Sequence, residues 1–129
     1  MSKLILSTII LICTTLHLSA QQNPHREIWL FTADAGNASF INQKAALTNA
    51  AGLKERDILV YEIVGLKANE KAFKKYKALA QKFTFILIGK DGGEKLRSNQ
   101  AVSLEKLYNT IDDMPMRKNE MKQSRKNTR

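Results

Sequence analysis

The sequence is poor in the residues that carry redox and metal chemistry. It has one cysteine, Cys13, and two histidines, of which only His25 lies beyond the first twenty residues. With a single cysteine no disulfide can form within the chain, and the part after residue 20 has no thiolate nucleophile. Because His25 has no Cys or His partner nearby, the sequence predicts no metal site, and nothing in it predicts a cofactor.

Charge is nearly absent from the N-terminal segment, where Lys3 is the only charged residue before residue 21. An apolar stretch at 4–12 follows, and small residues end the segment at Ala20. This order predicts a secretory signal peptide at 1–20, and hence a secreted or periplasmic protein without a transmembrane span in the mature chain. An uncleaved anchor and a lipoprotein modified at Cys13 are the alternatives.

Acidic residues are outnumbered, at 12 Asp and Glu against 21 Lys and Arg, which gives a net charge of +9. Much of the excess lies in 116–129, which has no apolar period and is predicted to be a basic flexible tail. Basic charge favours acidic partners, although solubility alone would also account for it. The partner is unknown: an acidic extracytoplasmic molecule is one option, and nucleic acid is not expected for a secreted chain.

Apolar patterning between these ends predicts one domain over 21–115. Four runs rich in β-formers predict strands at 27–32, 57–64, 83–88 and 94–98. Three segments with helical periodicity predict helices at 39–51, at 69–81 and from Ser103 to Pro115. Gly52 is expected to stop the first helix, and Leu79 is expected on the buried face of the second.

The short sequence Lys90-Asp91-Gly92-Gly93 predicts a structural turn between the last two strands, because Asp-Gly favours tight hairpins. A helix between the first two strands makes them parallel, and the hairpin makes the last two antiparallel. The predicted fold is therefore α/β and thioredoxin-like, in the order β-α-β-α-β-β-α with a mixed four-stranded sheet.

Two sequence strings resemble a known family. GKDGGEKLRS and the later IDDMPMRKNEM are similar to the secreted family called domain of unknown function 4174, and the resemblance extends over about 26–121. Related domains occur in animal extracellular sushi-repeat proteins. The resemblance implies a thioredoxin-like, peroxiredoxin-related fold and an extracytoplasmic setting, and it implies no established activity.

The sequence departs from redox thioredoxins at the positions that matter for their chemistry. Ala35-Gly36-Asn37-Ala38 occupies the region where Cys-x-x-Cys would follow the first strand, and Phe83 stands near the position of the usual proline. Thiol–disulfide exchange requires a thiolate, so cysteine-based redox catalysis is excluded for the mature chain.

Four polar residues are predicted at the sheet end where thioredoxins carry their active site: Asp34, Glu62, Arg97 and Ser98. Two carboxylates and a guanidinium can bind a polar ligand or, with one raised pKa, perform acid–base work. The structural alternative is that Asp34 shapes a loop, Glu62 pairs with a lysine and Arg97 is a solvated charge.

Two functions from different classes follow from these residues. The first is a secreted, non-catalytic binding or interaction module of unknown ligand, with no catalytic residue. The second is a cysteine-independent enzyme that uses Asp34 and Glu62. A polyanion binder that uses the lysines of 67–82 and the basic tail is a third possibility.

Overall fold

The computed structural model describes residues 22–129, so the predicted signal peptide and its cleavage site lie outside the described residues. The strands are β1 (Arg26–Thr32), β2 (Ile58–Val64), β3 (Thr84–Ile88) and β4 (Glu94–Ser98). The helices are α1 (Ala38–Leu47), α2 (Ala51–Glu55), α3 (Glu70–Lys75), α4 (Leu104–Asp112) and α5 (Pro115–Asn127). A 3-10 turn at Lys67–Asn69 precedes α3.

The four strands form one mixed sheet in the order β2-β1-β3-β4. β1 is parallel to β2 and antiparallel to β3, and β4 is antiparallel to β3. The α/β class and the mixed four-stranded sheet are therefore confirmed, and the arrangement is compatible with a thioredoxin-like fold. The C-terminal ends of β1, β2 and β4 lie at one end of the sheet, and the β3–β4 turn lies at the other.

Side chains alternate between the two faces of the sheet, and each face has its own apolar cluster. Ile28 and Leu30 pack with residues of α1 and α4 on the first face, among them Phe40 and Leu107. Phe31 and Ile86 pack with Phe73 of α3 on the second. The second face is covered by the shorter helix, so its aromatic residues Trp29, Tyr61 and Tyr76 are only partly buried.

The first helix is shorter than predicted. It ends at Leu47, where the Thr48 N–H donates to the Lys44 carbonyl, and Asn49 then adopts a positive φ of 58°. Asparagine tolerates this conformation and so ends the helix before Gly52 is reached. Gly52 instead lies within α2, where an added Cβ would come within 2.6 Å of the Tyr108 ring. The prediction that Gly52 stops the helix is therefore wrong.

The second predicted helix also ends early, at Lys75 rather than Gln81. Lys77 has a positive φ of 53°, the Lys77 N–H donates to the Lys74 carbonyl, and the Ala78 N–H donates to the Phe73 carbonyl. These two bonds and the left-handed residue form a Schellman motif, with lysine where glycine is usual. The placement of Leu79 on a buried helical face is wrong as a result.

The predicted flexible tail is wrong for most of its length, because 115–127 forms α5. Pro115 does end the preceding helical stretch, but it is also the first residue of α5, a position that suits a residue with fixed φ and no N–H. Arg117 is buried, with 5% of its surface exposed. The folded part of the chain therefore continues beyond the predicted boundary at residue 115.

The β3–β4 connection is longer than a two-residue hairpin. The Gly92 N–H donates to the Gly89 carbonyl, and Gly92 alone in this loop has positive φ, at 79°. The Gly93 N–H donates to the Asp91 carboxylate, and the register shifts between Leu87 and Ile88. Asp91 and Gly92 thus lie in a β-turn that ends in a left-handed glycine, rather than in a two-residue hairpin loop.

Candidate functional site

Asp34 lies at the predicted end of the sheet, but its carboxylate shapes its own loop. The Gly36 N–H donates to Asp34 Oδ1 at 2.8 Å, and the Thr32 hydroxyl donates to the Asp34 carbonyl at 2.7 Å. Asp34 also stays exposed. This is the local Asx arrangement that favours aspartate in turns.

Glu62 and Ser98 lie at the two ends of one row across the sheet. The row runs from Glu62 to Leu30, Phe85 and Ser98, so three strand spacings of about 4.8 Å, or about 14 Å, separate its ends. Lys44 Nζ lies 3.0 Å from Glu62 Oε2, and the Ser98 hydroxyl donates to the Gln100 carbonyl. Neither residue contacts the other.

Arg97 points to the opposite face of the sheet, because it follows Leu96 and precedes Ser98 in β4. Its Nε donates to Glu94 Oε1 at 2.7 Å, and its Nη2 donates to the Tyr76 carbonyl at 2.8 Å. The hydrogen bond from Arg97 holds the pKa of Glu94 below its ordinary value. The four predicted residues thus share one end of the sheet, yet the structure does not join them into one constellation.

The same end of the sheet carries two exposed leucines that the sequence reasoning did not assign to a site. Leu66 follows the C-terminal end of β2, where the Gly65 N–H donates to the Thr32 carbonyl, and it is 38% exposed. Leu79 follows the Schellman motif, before the start of β3, and is 54% exposed. Leu79 is exposed to solvent because α3 ends early. The helical periodicity of the sequence alone does not predict this exposure.

The two leucines flank a cleft of about 360 Å³ that is lined mainly by apolar atoms. Phe73 and Ala78 contribute apolar surface, and Lys74, Lys77 and Glu70 complete the lining. Phe73 is held in place from below by an edge-on contact with Phe31, at a ring-centroid distance of 5.3 Å. The cleft therefore rests on the core of the sheet.

The segment 65–82 holds six exposed lysines and one glutamate, a net charge of +5, and two of these lysines, Lys74 and Lys77, line the cleft. None of the six takes part in an ion pair among residues 22–129. We call Leu66, Leu79 and these lysines the leucine–lysine surface; the lysines are Lys67, Lys71, Lys74, Lys75, Lys77 and Lys82. The combination of exposed aliphatic groups and unpaired cations can bind a ligand that is both acidic and apolar.

A second cluster of charges lies at the other end of the sheet and connects α5 to the body. Lys90 Nζ lies 2.8 Å from Asp57 Oδ2 and 2.7 Å from Glu120 Oε1, and Glu120 also accepts two hydrogen bonds from buried Arg26. Arg56 and Arg117 bind Asp112 in the same region, the shortest N–O distances being 2.7 and 3.2 Å. We call this the α5 ion-pair network.

The carboxylates of the network have lowered pKa values. The hydrogen bond from Lys90 holds the pKa of Asp57 below its ordinary value, and the hydrogen bond from Arg56 does the same for Asp112. Burial acts to raise the pKa of Glu120, but hydrogen bonds from Lys90 and Arg26 outweigh it and the pKa is lowered. Each carboxylate is therefore held ionised by its cation, which is typical of structural ion pairs rather than of an acid–base catalyst.

Trp29 differs from the phenylalanines of the described residues in its burial and contacts. The phenylalanines are buried, whereas Trp29 lies between Tyr61 and Tyr76 with ring-centroid distances of 4.5 and 4.7 Å. Its indole N–H donates to Glu27 Oε2 at 2.8 Å. Both ring faces of Trp29 are occupied by its neighbours, so this stack is an extension of the second apolar cluster.

Within 22–129, no three His, Cys, Asp or Glu side chains are grouped as they would be around a metal ion. The same part of the chain contains no helix that is both long and apolar enough to cross a bilayer.

The sheet order and the helices define an α/β protein with a mixed four-stranded sheet, compatible with a thioredoxin-like arrangement. Residues 17–120 match the family described as Domain of unknown function (DUF4174), and the chain belongs to that family. Comparison with curated proteins and with solved structures gave no match.

Proposed function

We propose that this protein is a secreted, non-catalytic binding module that recognises an acidic partner through the leucine–lysine surface. The observation that carries the proposal is a pair of exposed leucines that flank one cleft at one end of the sheet. They belong to a segment, 65–82, whose six exposed lysines are unpaired among the described residues. Exposed aliphatic side chains grouped with charge of one sign are typical of interaction surfaces.

The geometry supports a binding module better than an enzyme that uses Asp34 and Glu62. The Asp34 carboxylate accepts a hydrogen bond from Gly36 in its own loop, and the Glu62 carboxylate pairs with Lys44. A general acid–base pair needs two groups within reach of one reacting atom, and the contacts of these carboxylates direct each of them elsewhere.

The chain offers a second basic surface that serves as a matched control. The exposed cations of α5, among them Lys122 and Lys126, lie near the C-terminus, and no large hydrophobic residue of that helix is exposed. If charge alone were sufficient, both surfaces would bind an acidic ligand equally. If the leucines matter, the surface at 65–82 should dominate.

The test is binding of fluorescent poly-glutamate to the purified protein, measured by anisotropy. The double variant Lys74→Glu and Lys77→Glu should weaken binding at least about tenfold, because two attractive charges become repulsive. The control Lys122→Glu and Lys126→Glu changes net charge by the same amount and should have a much smaller effect. Equal loss in the two double variants would show that only net charge matters and would contradict the proposal.

A further inference from the structure

We infer that the acidic partner of the leucine–lysine surface is an anionic lipid bilayer, into which Leu66 and Leu79 insert between lipid headgroups. The inference rests on the proposed function and names the partner of the same surface. It places the C-terminal ends of β1 and β2 toward the membrane and the β3–β4 turn, with the α5 ion-pair network, away from it.

The two leucines have the placement that shallow insertion requires. They come from two separate segments, Leu66 after β2 and Leu79 before β3, and both are exposed at the same end of the sheet. They flank one cleft whose remaining apolar surface comes from Phe73 and Ala78. Insertion would remove aliphatic surface from water without any change in the fold.

The distribution of the lysines fits an extended anionic surface rather than a single point ligand. Only Lys74 and Lys77 line the cleft, whereas Lys67, Lys71, Lys75 and Lys82 are spread over the surrounding segment. A compact ligand bound in the cleft would leave these four without a counter-charge. A bilayer that contains acidic lipids presents phosphates over an extended area and can attract lysines beyond the cleft as well as the two that line it.

The exposed hydrophobic groups are also of the kind that suits lipid. The large hydrophobic residues that are mostly exposed in the described chain are all aliphatic, whereas the aromatic residues of 22–129 are buried or partly buried. Single-stranded nucleic acids are bound largely by stacking on exposed aromatic rings, which this surface does not offer. Exposed aliphatic side chains in a lysine-rich segment are characteristic of proteins that bind peripherally to anionic membranes.

The test is co-sedimentation of the purified protein with phosphatidylcholine vesicles that contain about 30% phosphatidylglycerol, beside vesicles of phosphatidylcholine alone. We expect binding to the anionic vesicles only, and release as sodium chloride is raised to about 0.5 M, because salt screens the lysines. Absence of binding to anionic vesicles at low salt would overturn the inference.

Two leucine variants test insertion separately from charge. Leu66→Ser with Leu79→Ser should weaken vesicle binding at least about tenfold, because the charge is kept and the aliphatic groups are lost. The control Leu59→Ser alters a leucine of similar exposure near the opposite end of β2 and should bind vesicles like the parent. Melting curves should show that the double variant is folded, and vesicle binding equal to that of the parent would overturn insertion.

The vesicle and poly-glutamate results together separate the two proposals. If the parent binds poly-glutamate through Lys74 and Lys77 but fails to bind vesicles, the lipid inference is wrong and the acidic partner is a soluble molecule. If the parent binds neither probe, both the inference and the proposed function are wrong.

Discussion

Lys90 and Glu120 form an ion pair with an Nζ–Oε1 distance of 2.7 Å, although thirty residues separate them in the chain. Lys90 belongs to the GKDGGEKLRS string and Glu120 to the IDDMPMRKNEM string. The two strings on which the family resemblance rests therefore meet in the α5 ion-pair network. Their shared role is structural, since they attach α5 to the β3–β4 turn and to the start of β1.

This network predicts that α5 is required for stability. A chain that ends after Pro115 would lose Arg117 and Glu120 and would leave Arg26, which is 1% exposed, without its carboxylate. We expect the melting temperature to fall by on the order of 10–20 °C, because uncompensated buried charge is costly. A chain that ends after Gln123 loses only exposed residues and should melt within a few degrees of the parent. A truncation at Pro115 that melts like the parent would show that α5 contributes nothing to the folded body.

Glu120 should be the most sensitive single carboxylate, because it is the carboxylate partner of Arg26, whose side chain is 1% exposed, and it also accepts from Lys90. Glu120→Ala should lower the free energy of unfolding by about 3 kcal/mol, because it leaves the buried Arg26 guanidinium without its carboxylate. Asp113→Asn is the matched control, since Asp113 is 84% exposed and lies 3.7 Å from Lys118, and such pairs contribute about 0–1 kcal/mol. Urea denaturation of both variants measures the difference, and equal effects would contradict the assignment.

Stability should fall in acid. The pKa values of Asp57, Asp112 and Glu120 are lowered in the folded state, so their contribution is present above the unfolded values near pH 4 and is lost as pH falls through the native ones. The contribution of Lys90 to stability has the opposite dependence on pH. Burial acts to lower its pKa, but Asp57 and Glu120 outweigh burial and raise it. Its contribution is therefore present below an unfolded pKa near 10.4 and is lost as pH rises through the folded one.

Thermal melts between pH 7 and pH 2 would measure the acid side of this dependence. Glu120→Gln should have a lower melting temperature at pH 7 and a shallower decline toward acid, because one titrating group of the network is gone. Parallel curves for the parent and the variant would show that Glu120 does not contribute to the acid dependence.

Substitutions at Gly92 test whether the turn between β3 and β4 requires a positive φ. Its φ is 79°, and an added Cβ would have no heavy atom within 4 Å, so a substitution is strained by the backbone rather than by a clash. Gly92→Val should cost about 1–3 kcal/mol in the free energy of unfolding, and Gly92→Asn less, because asparagine tolerates the left-handed region. Chemical denaturation would rank the two variants, and equal losses would show that the positive φ of Gly92 is not the cause of the destabilisation.

The four strands, three of the helices between and after them, and the relative directions of paired strands could be predicted from the sequence because they depend on local patterns. Apolar runs of strand length alternate with helical periodicity, and a helix between β1 and β2 requires those strands to be parallel. Ser103 was also predictable as a cap: its hydroxyl accepts from the Lys106 N–H, and Val102 and Leu107 are both buried. The same reasoning predicts which end of the sheet carries Asp34, Glu62 and Ser98.

Other features were decided only by the tertiary structure. Lys77 in a left-handed conformation carries no sequence signal, yet it ends α3 and exposes Leu79. The helix α5 has no apolar stripe, and its stability comes from ion pairs with residues that are distant in the chain, such as Arg26. Pro115 at the first helical position was the one local sign that a helix begins there.

The predicted site residues show the same division between what the sequence determines and what only the tertiary structure decides. The sequence determined that Glu62, Arg97 and Ser98 lie near one end of the sheet, because strand direction follows from the connections. Register and strand order decided the rest: Glu62 lies on one edge strand and Arg97 on the other, on opposite faces. Side chains alternate with a period of two, so neighbouring residues of a strand point to opposite faces, and only the paired sheet shows which of them can meet.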